Sequence, residues 1–139
     1  MKTVIIIPAR YKSTRFPGKP LTPILGKPMI LWVAELCVEV LPAEFVYIAT
    51  EDFQIKEIVE KAGFNVVMTS NKCLTGTDRI AEAANQIEAD IYVNVQGDEP
   101  LLNPTDILSI IEEKKKYPNE VINGYCKISD NEEPESVNI

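Results

Sequence analysis

Arg10, Lys12, Arg15 and Lys19 set four cations in one short stretch near the amino end, interleaved with Pro8, Pro17, Gly18, Pro20 and Pro23. An arginine guanidinium is a planar fork that grips phosphate oxygens in pairs, whereas a lysine acts as a point charge on the same anion. The prolines restrict the backbone between them, which suits a wrap fixed around an anion. No GxxxxGK[ST] pattern is present, so this is not a Walker loop. The competing reading is a solvated basic loop, and it is weakened by the cluster's place directly after an apolar run at residues 4–7.

The second pattern is Gln96-Gly97-Asp98-Glu99-Pro100. A carboxylate aimed at a bound triphosphate would be repelled by roughly 4 kcal/mol per charge pair at ~4 Å in an effective dielectric of ~20. A bridging cation removes that conflict, and Mg²⁺ takes one or two carboxylates together with phosphate oxygens and water. Asp98 therefore fits a metal ligand, with a turn or cap acid as the alternative; Glu99 divides between function and structure. The third pattern, Thr75-Gly76-Thr77-Asp78-Arg79, places backbone N–H groups and an arginine at a helix start. Taken alone, Thr75-x-x-Asp78 reads first as a capping arrangement, and only beside the other loops as part of a site.

Composition removes whole classes of chemistry. Histidine is absent, which excludes histidine general-base catalysis, imidazole metal ligation and a Ser-His-Asp triad. Net charge is −7, against a general nucleic-acid surface, but residues 1–34 hold six cations and no acid. The remainder holds 14 − 6 = 8 cations against 21 acids. Cys37, Cys73 and Cys126 are odd in number and far apart, which argues for reduced thiols and against a disulfide framework or a zinc site. No apolar run approaches the ~18 residues of a membrane span and no signal peptide is apparent, so the expected location is the cytoplasm, without a membrane partner.

The elements that must position these loops follow from hydrophobic pattern. Runs at 4–7, 45–49, 64–68 and 91–95 are β-branched and mostly unalternating, as in parallel strands buried on both faces. Helices are expected over 28–41, 52–62, 77–88 and 104–117, the second capped by Asp52 and ended by Gly63, the fourth capped by Asn103 and stopped by Pro118. Met29, Trp32 and Phe45 are read as core, and Lys114, Lys115 and Lys116 as a solvated helix end. A further short strand is expected within 121–128. The 139 residues suit one α/β domain, a doubly wound and mainly parallel sheet with strand one beside strand four. That order brings the basic loop, which spans 8–27, and the acidic loop together at the topological switch point.

Assembled, the loops resemble the 3-deoxy-manno-octulosonate cytidylyltransferases (CMP-Kdo synthetases). The resemblance rests on Ile7-Pro8-Ala9-Arg10-Tyr11-x-Ser13-Thr14-Arg15-x-Pro17-Gly18-Lys19-Pro20-Leu21, Gly26-Lys27-Pro28-Met29-Ile30, Thr75-Gly76-Thr77-Asp78-Arg79 and Val93-Asn94-Val95-Gln96-Gly97-Asp98-Glu99-Pro100. The Arg-x₄-Arg-x₃-Lys spacing separates it from acylneuraminate cytidylyltransferases. The resemblance implies a Rossmann-like sheet of the nucleotide-diphospho-sugar transferase type and transfer of CMP from CTP to a 3-deoxy-2-ketoaldonic acid for lipopolysaccharide synthesis, with Mg²⁺.

By position, the resemblance has Arg10, Arg15 and Lys19 hold the triphosphate and stabilise departing pyrophosphate, while Asp98 holds the metal. It has Pro8 and Ala9 approach the base and Thr75, Gly76 and Arg79 help recognise cytidine, with Ser13 and Gln96 completing the nucleotide site. It further implies that residues 1–139 are the nucleotide-binding portion, truncated before the second metal carboxylate, the sugar-acid contacts and the segment that forms a homodimer. A cytidylyltransferase for another sugar acid, or a nucleotide-binding subunit inactive alone, are the competing expectations.

Overall fold

Isoleucine and valine crowd both faces of the amino-terminal run, so burying it requires cover on each side. The computed structural model describes residues 2–12, 17–73, 75–97, 100–116, 124–126 and 135–137. In chain order its elements are strand β1 (Thr3–Ala9), small strands β2 (Pro23–Ile24) and β3 (Lys27–Pro28), helix α1 (Met29–Val38) and strand β4 (Val46–Thr50). Helix α2 (Phe53–Lys61), strand β5 (Asn65–Met68), helix α3 (Gly76–Ala84), strand β6 (Ile91–Asn94) and helix α4 (Pro104–Lys116) follow, then strands β7 (Gly124–Cys126) and β8 (Glu135–Val137).

The central sheet is parallel, in the order β5-β4-β1-β6, so the first long strand lies beside the fourth as expected. Ile5 stands between Val46 and Val93 in the ladder, and Ile6 between Tyr47 and Asn94. Ile5, Ile7 and Ala9 pack with Ile30, Val33 and Cys37 of α1, Ile55 and Val59 of α2, and Ile107, Ile110 and Ile111 of α4. Val4 and Ile6 turn the other way, to Ala83 of α3 and Ile87 beyond it. Each fully buried isoleucine contributes about 1.5–3 kcal/mol of transfer free energy, which makes β1 the mechanical centre of the fold.

The caps fall where the sequence puts them. Asp52 Oδ2 accepts from the Ile55 amide at 2.9 Å, and Gly63 takes the left-handed φ of 95° after α2. Asn103 Oδ1 accepts from the Thr105 amide at 2.9 Å. At the far end of α4, Lys115 and Lys116 pair with Glu112 and Glu113 at 3.8 and 3.9 Å, loose surface contacts consistent with a solvated terminus.

Three expectations need correction. Pro28 does not open α1: it pairs with Pro23 in the hairpin β2–β3, and the helix runs from Met29 only to Val38. Helix α3 ends at Ala84, not Glu88: the amides of Gln86 and Ile87 bond three residues back, to the Ala83 and Ala84 carbonyls at 2.9 and 3.3 Å, and this tightened turn keeps Ile87 buried. Trp32 is only partly buried and outside the core, its indole N–H donating to the Ile24 carbonyl at 2.8 Å, whereas Phe45, also partly buried, packs against the core cluster around Val4 and Ile6. Lys27 Nζ lies 3.9 Å from the centre of the Trp32 ring and pairs with Glu35, tying the hairpin to α1. The expected strand within 121–128 is β7, which pairs antiparallel with β8 apart from the central sheet. No helix among the described residues is long and apolar enough to cross a membrane.

Candidate active site

β1 runs past its neighbour. Its ladder with β6 ends at Ile6 and Asn94, and the Val95 amide makes one more bond to the Ile6 carbonyl at 3.1 Å. Pro8 and Ala9 thus overhang the carboxyl end of β6, and the chain leaving β6 crosses beside them. At Gly97 a Cβ would stand 2.6 Å from the Pro8 carbonyl oxygen, so only glycine permits the approach.

The overhang forms one wall of a cleft of about 280 Å³. Pro8, Ala9 and Arg10 line it from the end of β1, Lys19 and Pro20 from a short 3₁₀ turn, and Met29 from the start of α1. Thr75, Gly76 and Arg79 close it from α3, Gln96 and Gly97 from beyond β6. It lies at the carboxyl ends of the strands, at the switch point where α/β sheets take ligands.

Eight residues singled out by the sequence, Pro8, Ala9, Arg10, Lys19, Thr75, Gly76, Arg79 and Gln96, therefore meet at one cleft. Ser13, Arg15 and Asp98 lie outside the described residues, as does Glu99. Pro20, Met29 and Gly97 were not foreseen as lining. Met29 is 7% exposed and bears out its core reading while also forming the cleft floor. No sequence signal separates those two roles; Gly97 had one, as the lone glycine between the polar groups Gln96 and Asp98.

Both readings of the Thr75 segment hold at once. Thr75 Oγ1 caps α3 by accepting from the Asp78 amide at 3.1 Å, and the helix start it fixes faces the cleft. Arg79 is 2% exposed; its Nη1 donates to Thr69 Oγ1 and, at 3.4 Å, to the Ser70 carbonyl. The guanidinium is thus braced against the segment after β5, not freely extended into solvent.

The described lining carries Arg10, Lys19 and Arg79 and no carboxylate, beside the positive end of a helix. That donor set suits phosphate oxygens. Among the described residues no three His, Cys, Asp or Glu side chains are grouped to hold a metal ion. Cys37 sits on the buried face of α1 and is not among the residues lining the cleft; burial pushes its thiol up to about 12, against a role as nucleophile.

A family model described as cytidylyltransferase matches residues 4–138. The chain belongs to the cytidylyltransferase family. It is 54% identical over 114 residues to 3-deoxy-manno-octulosonate cytidylyltransferase 2 of Hydrogenovibrio crunogenus, covering 80% of this chain and 46% of that protein. It is 47% identical over 123 residues to 8-amino-3,8-dideoxy-manno-octulosonate cytidylyltransferase of Shewanella baltica, covering 86% of this chain and 50% of the relative. Among solved structures, that of CMP:2-keto-3-deoxy-manno-octonic acid synthetase complexed with CTP superposes with a TM-score of 0.81 at 44% identity, covering 86% of this chain and 49% of that one. The chain spans about half the length of the curated relatives it matches.

Proposed function

We propose that this chain is the nucleotide-binding half of an enzyme that transfers CMP from CTP to 3-deoxy-manno-octulosonate, releasing pyrophosphate and supplying an activated sugar for lipopolysaccharide synthesis. The observation that carries the reading is the cleft at the switch point, lined among others by Arg10, Lys19 and Arg79. Three cations and a helix start suit a polyanion, and the relatives' shared cytidylyltransferase chemistry makes CTP the candidate.

In this reading Arg10 and Lys19, with Arg15, hold the triphosphate and oppose the charge that builds on pyrophosphate as it departs. Pro8 and Ala9 offer backbone atoms to the base, and Thr75, Gly76 and Gln96, with Arg79 behind them, shape the cytidine end; Ser13 completes the set. The anomeric hydroxyl of the sugar acid attacks the α-phosphorus in line. Asp98 would hold Mg²⁺, which when bound would supply neutralisation of phosphate charge and polarisation of the reacting group. Asp98 directly follows the lining residue Gly97 in the chain, and a carboxylate is the kind of oxygen donor that Mg²⁺ takes beside phosphate.

Calorimetric titration with CTP and with CMP, with and without Mg²⁺, tests the nucleotide half of the proposal. Arg15→Ala should weaken CTP more than CMP, and Asp98→Asn should abolish the Mg²⁺ dependence of CTP binding while leaving the fold intact. Equal loss for both nucleotides, or unchanged Mg²⁺ dependence, would contradict those assignments. Pyrophosphate release with candidate sugar acids tests turnover, and size measurements test the homodimer proposed for the full-length protein. The Shewanella relative favours a second sugar, the 8-amino-3,8-dideoxy analogue, and competition between the two sugar acids in the same assay decides between them.

A further inference from the structure

Glu51 follows the last residue of β4 and reaches sideways to the start of the basic loop. Its Oε1 accepts a hydrogen bond from the Tyr11 amide at 2.9 Å, and its Oε2 stands 3.5 Å from the Lys12 amide. The contact follows from register: Ala9 lies beside Thr50 where the β1–β4 ladder ends, so both chains leave the sheet together. Beyond that point the amides of the departing loop have lost their ladder, and the carboxylate takes the place of the next strand residue. Hydrogen bonds to an ionised acceptor are the stronger class, which suits this one to fixing a loop.

Tyr11 in turn closes the loop. Its carbonyl accepts from the Gly18 amide at 2.8 Å, and its ring stands 3.1 Å from where a Cβ on Gly18 would lie. Gly18, at φ 73°, leads straight into the 3₁₀ turn that carries Lys19. Arg10 thus lies just before this closure and Lys19 just after it, both on the cleft wall.

We propose that Glu51 is a positioning residue that holds Arg10 and Lys19 at the cleft by anchoring Tyr11, an inference that rests on reading the cleft as a triphosphate site. Its own charge would repel that ligand. A bystander carboxylate and an anchor therefore differ in sign: removing the first tightens CTP, and removing the second weakens it.

Three variants of the whole chain separate reach from charge. Glu51→Ala removes both; Glu51→Asp keeps the charge but shortens the reach by about one C–C bond, ~1.5 Å; Glu51→Gln keeps the reach and an acceptor oxygen without the charge. The nucleotide-free readout is trypsin cleavage after Arg10 and Lys12, with the melting temperature followed alongside. We expect the Ala and Asp variants to be cut several-fold faster and to bind CTP about tenfold more weakly, a change of about 1.4 kcal/mol, while Glu51→Gln, which keeps the reach and one neutral acceptor, is cut at a rate between those of the wild type and the Ala variant. Wild-type cleavage rates in the Ala and Asp variants, or a Gln variant as fast as Ala with Asp protected, would overturn the proposal. Should the wild type not bind CTP at all, the functional reading fails, yet the cleavage comparison still decides the anchor.

Discussion

Gly97 meets the carbonyl of Pro8 so closely that a Cβ on it would lie 2.6 Å from the oxygen, 3.3 Å from Ile30 Cδ1 and 3.5 Å from Ile7 Cγ2. The first of these atoms is backbone of the central strand, which cannot swing aside as a side-chain tip can. The loop that leads from β6 to residue 98 is therefore held against the end of β1 by the absence of a side chain.

Gly97→Ala should separate the two lips of the cleft. Overpacking of this kind costs about 1–3 kcal/mol, and urea unfolding should show the loss together with weaker nucleotide binding. Unchanged stability would mean the contact is not as tight as the geometry states.

Gly76→Ala should behave in the opposite way. Its Cβ would meet Pro8 Cγ at 3.5 Å and Gln96 Oε1 at 3.7 Å, ordinary contacts, and alanine favours a helix over glycine by up to ~1 kcal/mol. The added methyl enters the cleft, however, because Gly76 lines it. Stability equal to or above wild type, with several-fold weaker CTP binding by titration, is the expected result; loss of stability would count against it.

What the sequence made legible was whatever leaves a local trace. Unalternating β-branched runs marked the four strands of the sheet, although only β1 and β4 are buried on both faces while the edge strands β5 and β6 expose Asn65 and Tyr92; Asp52 and Asn103 marked helix starts, and the basic stretch after the first strand marked one side of the cleft. The hairpin β2–β3 left almost none: its strands have two residues each, and only Gly26 hints at a turn whose other residue, Leu25, also takes positive φ at 52°. Ile87 kept helical phase with Ile80 and Ala83 although the helix had ended, because the core cluster around Val4 and Ile6 accepts it from a turn. The need for glycine at 97 and the anchoring contact of Glu51 are both non-local. They depend on β1 outrunning β6 and ending level with β4, a register that no single stretch of sequence encodes.

Arg79 illustrates how a site residue can also be structural. Replacing it with methionine strips the arginine donor from the Thr69 hydroxyl, itself 9% exposed, and leaves the Ser70 carbonyl with the Cys73 amide at 3.5 Å. An unsatisfied buried polar group costs about 1–3 kcal/mol, so Arg79→Met should lower the unfolding free energy by that amount in the absence of nucleotide. Arg79→Lys retains charge near the cleft but cannot present a planar fork, and it should recover only part of the loss. A nucleotide-free stability equal to wild type in both variants would show that the brace carries no weight.

Cys37 gives the fold a signature at alkaline pH. Burial raises its thiol from 9.0 to about 12, so the folded protein keeps the proton that the unfolded chain releases near 9. Below pH 9 both states hold it and its contribution to stability is complete. As pH rises from 9 towards 12, only the unfolded state loses the proton, and stability falls by up to ~1.4 kcal/mol per pH unit from this group. Other groups titrate in the same range, so the test is a difference: urea unfolding of the wild type and of Cys37→Ala at pH 7, 9 and 10.5. The alanine variant should begin less stable, for want of the buried sulfur, and close the gap by on the order of 2 kcal/mol at the highest pH. Parallel curves for the two proteins would show that the thiol is not shielded by α1 and the sheet, and hence that the helix is not seated as described.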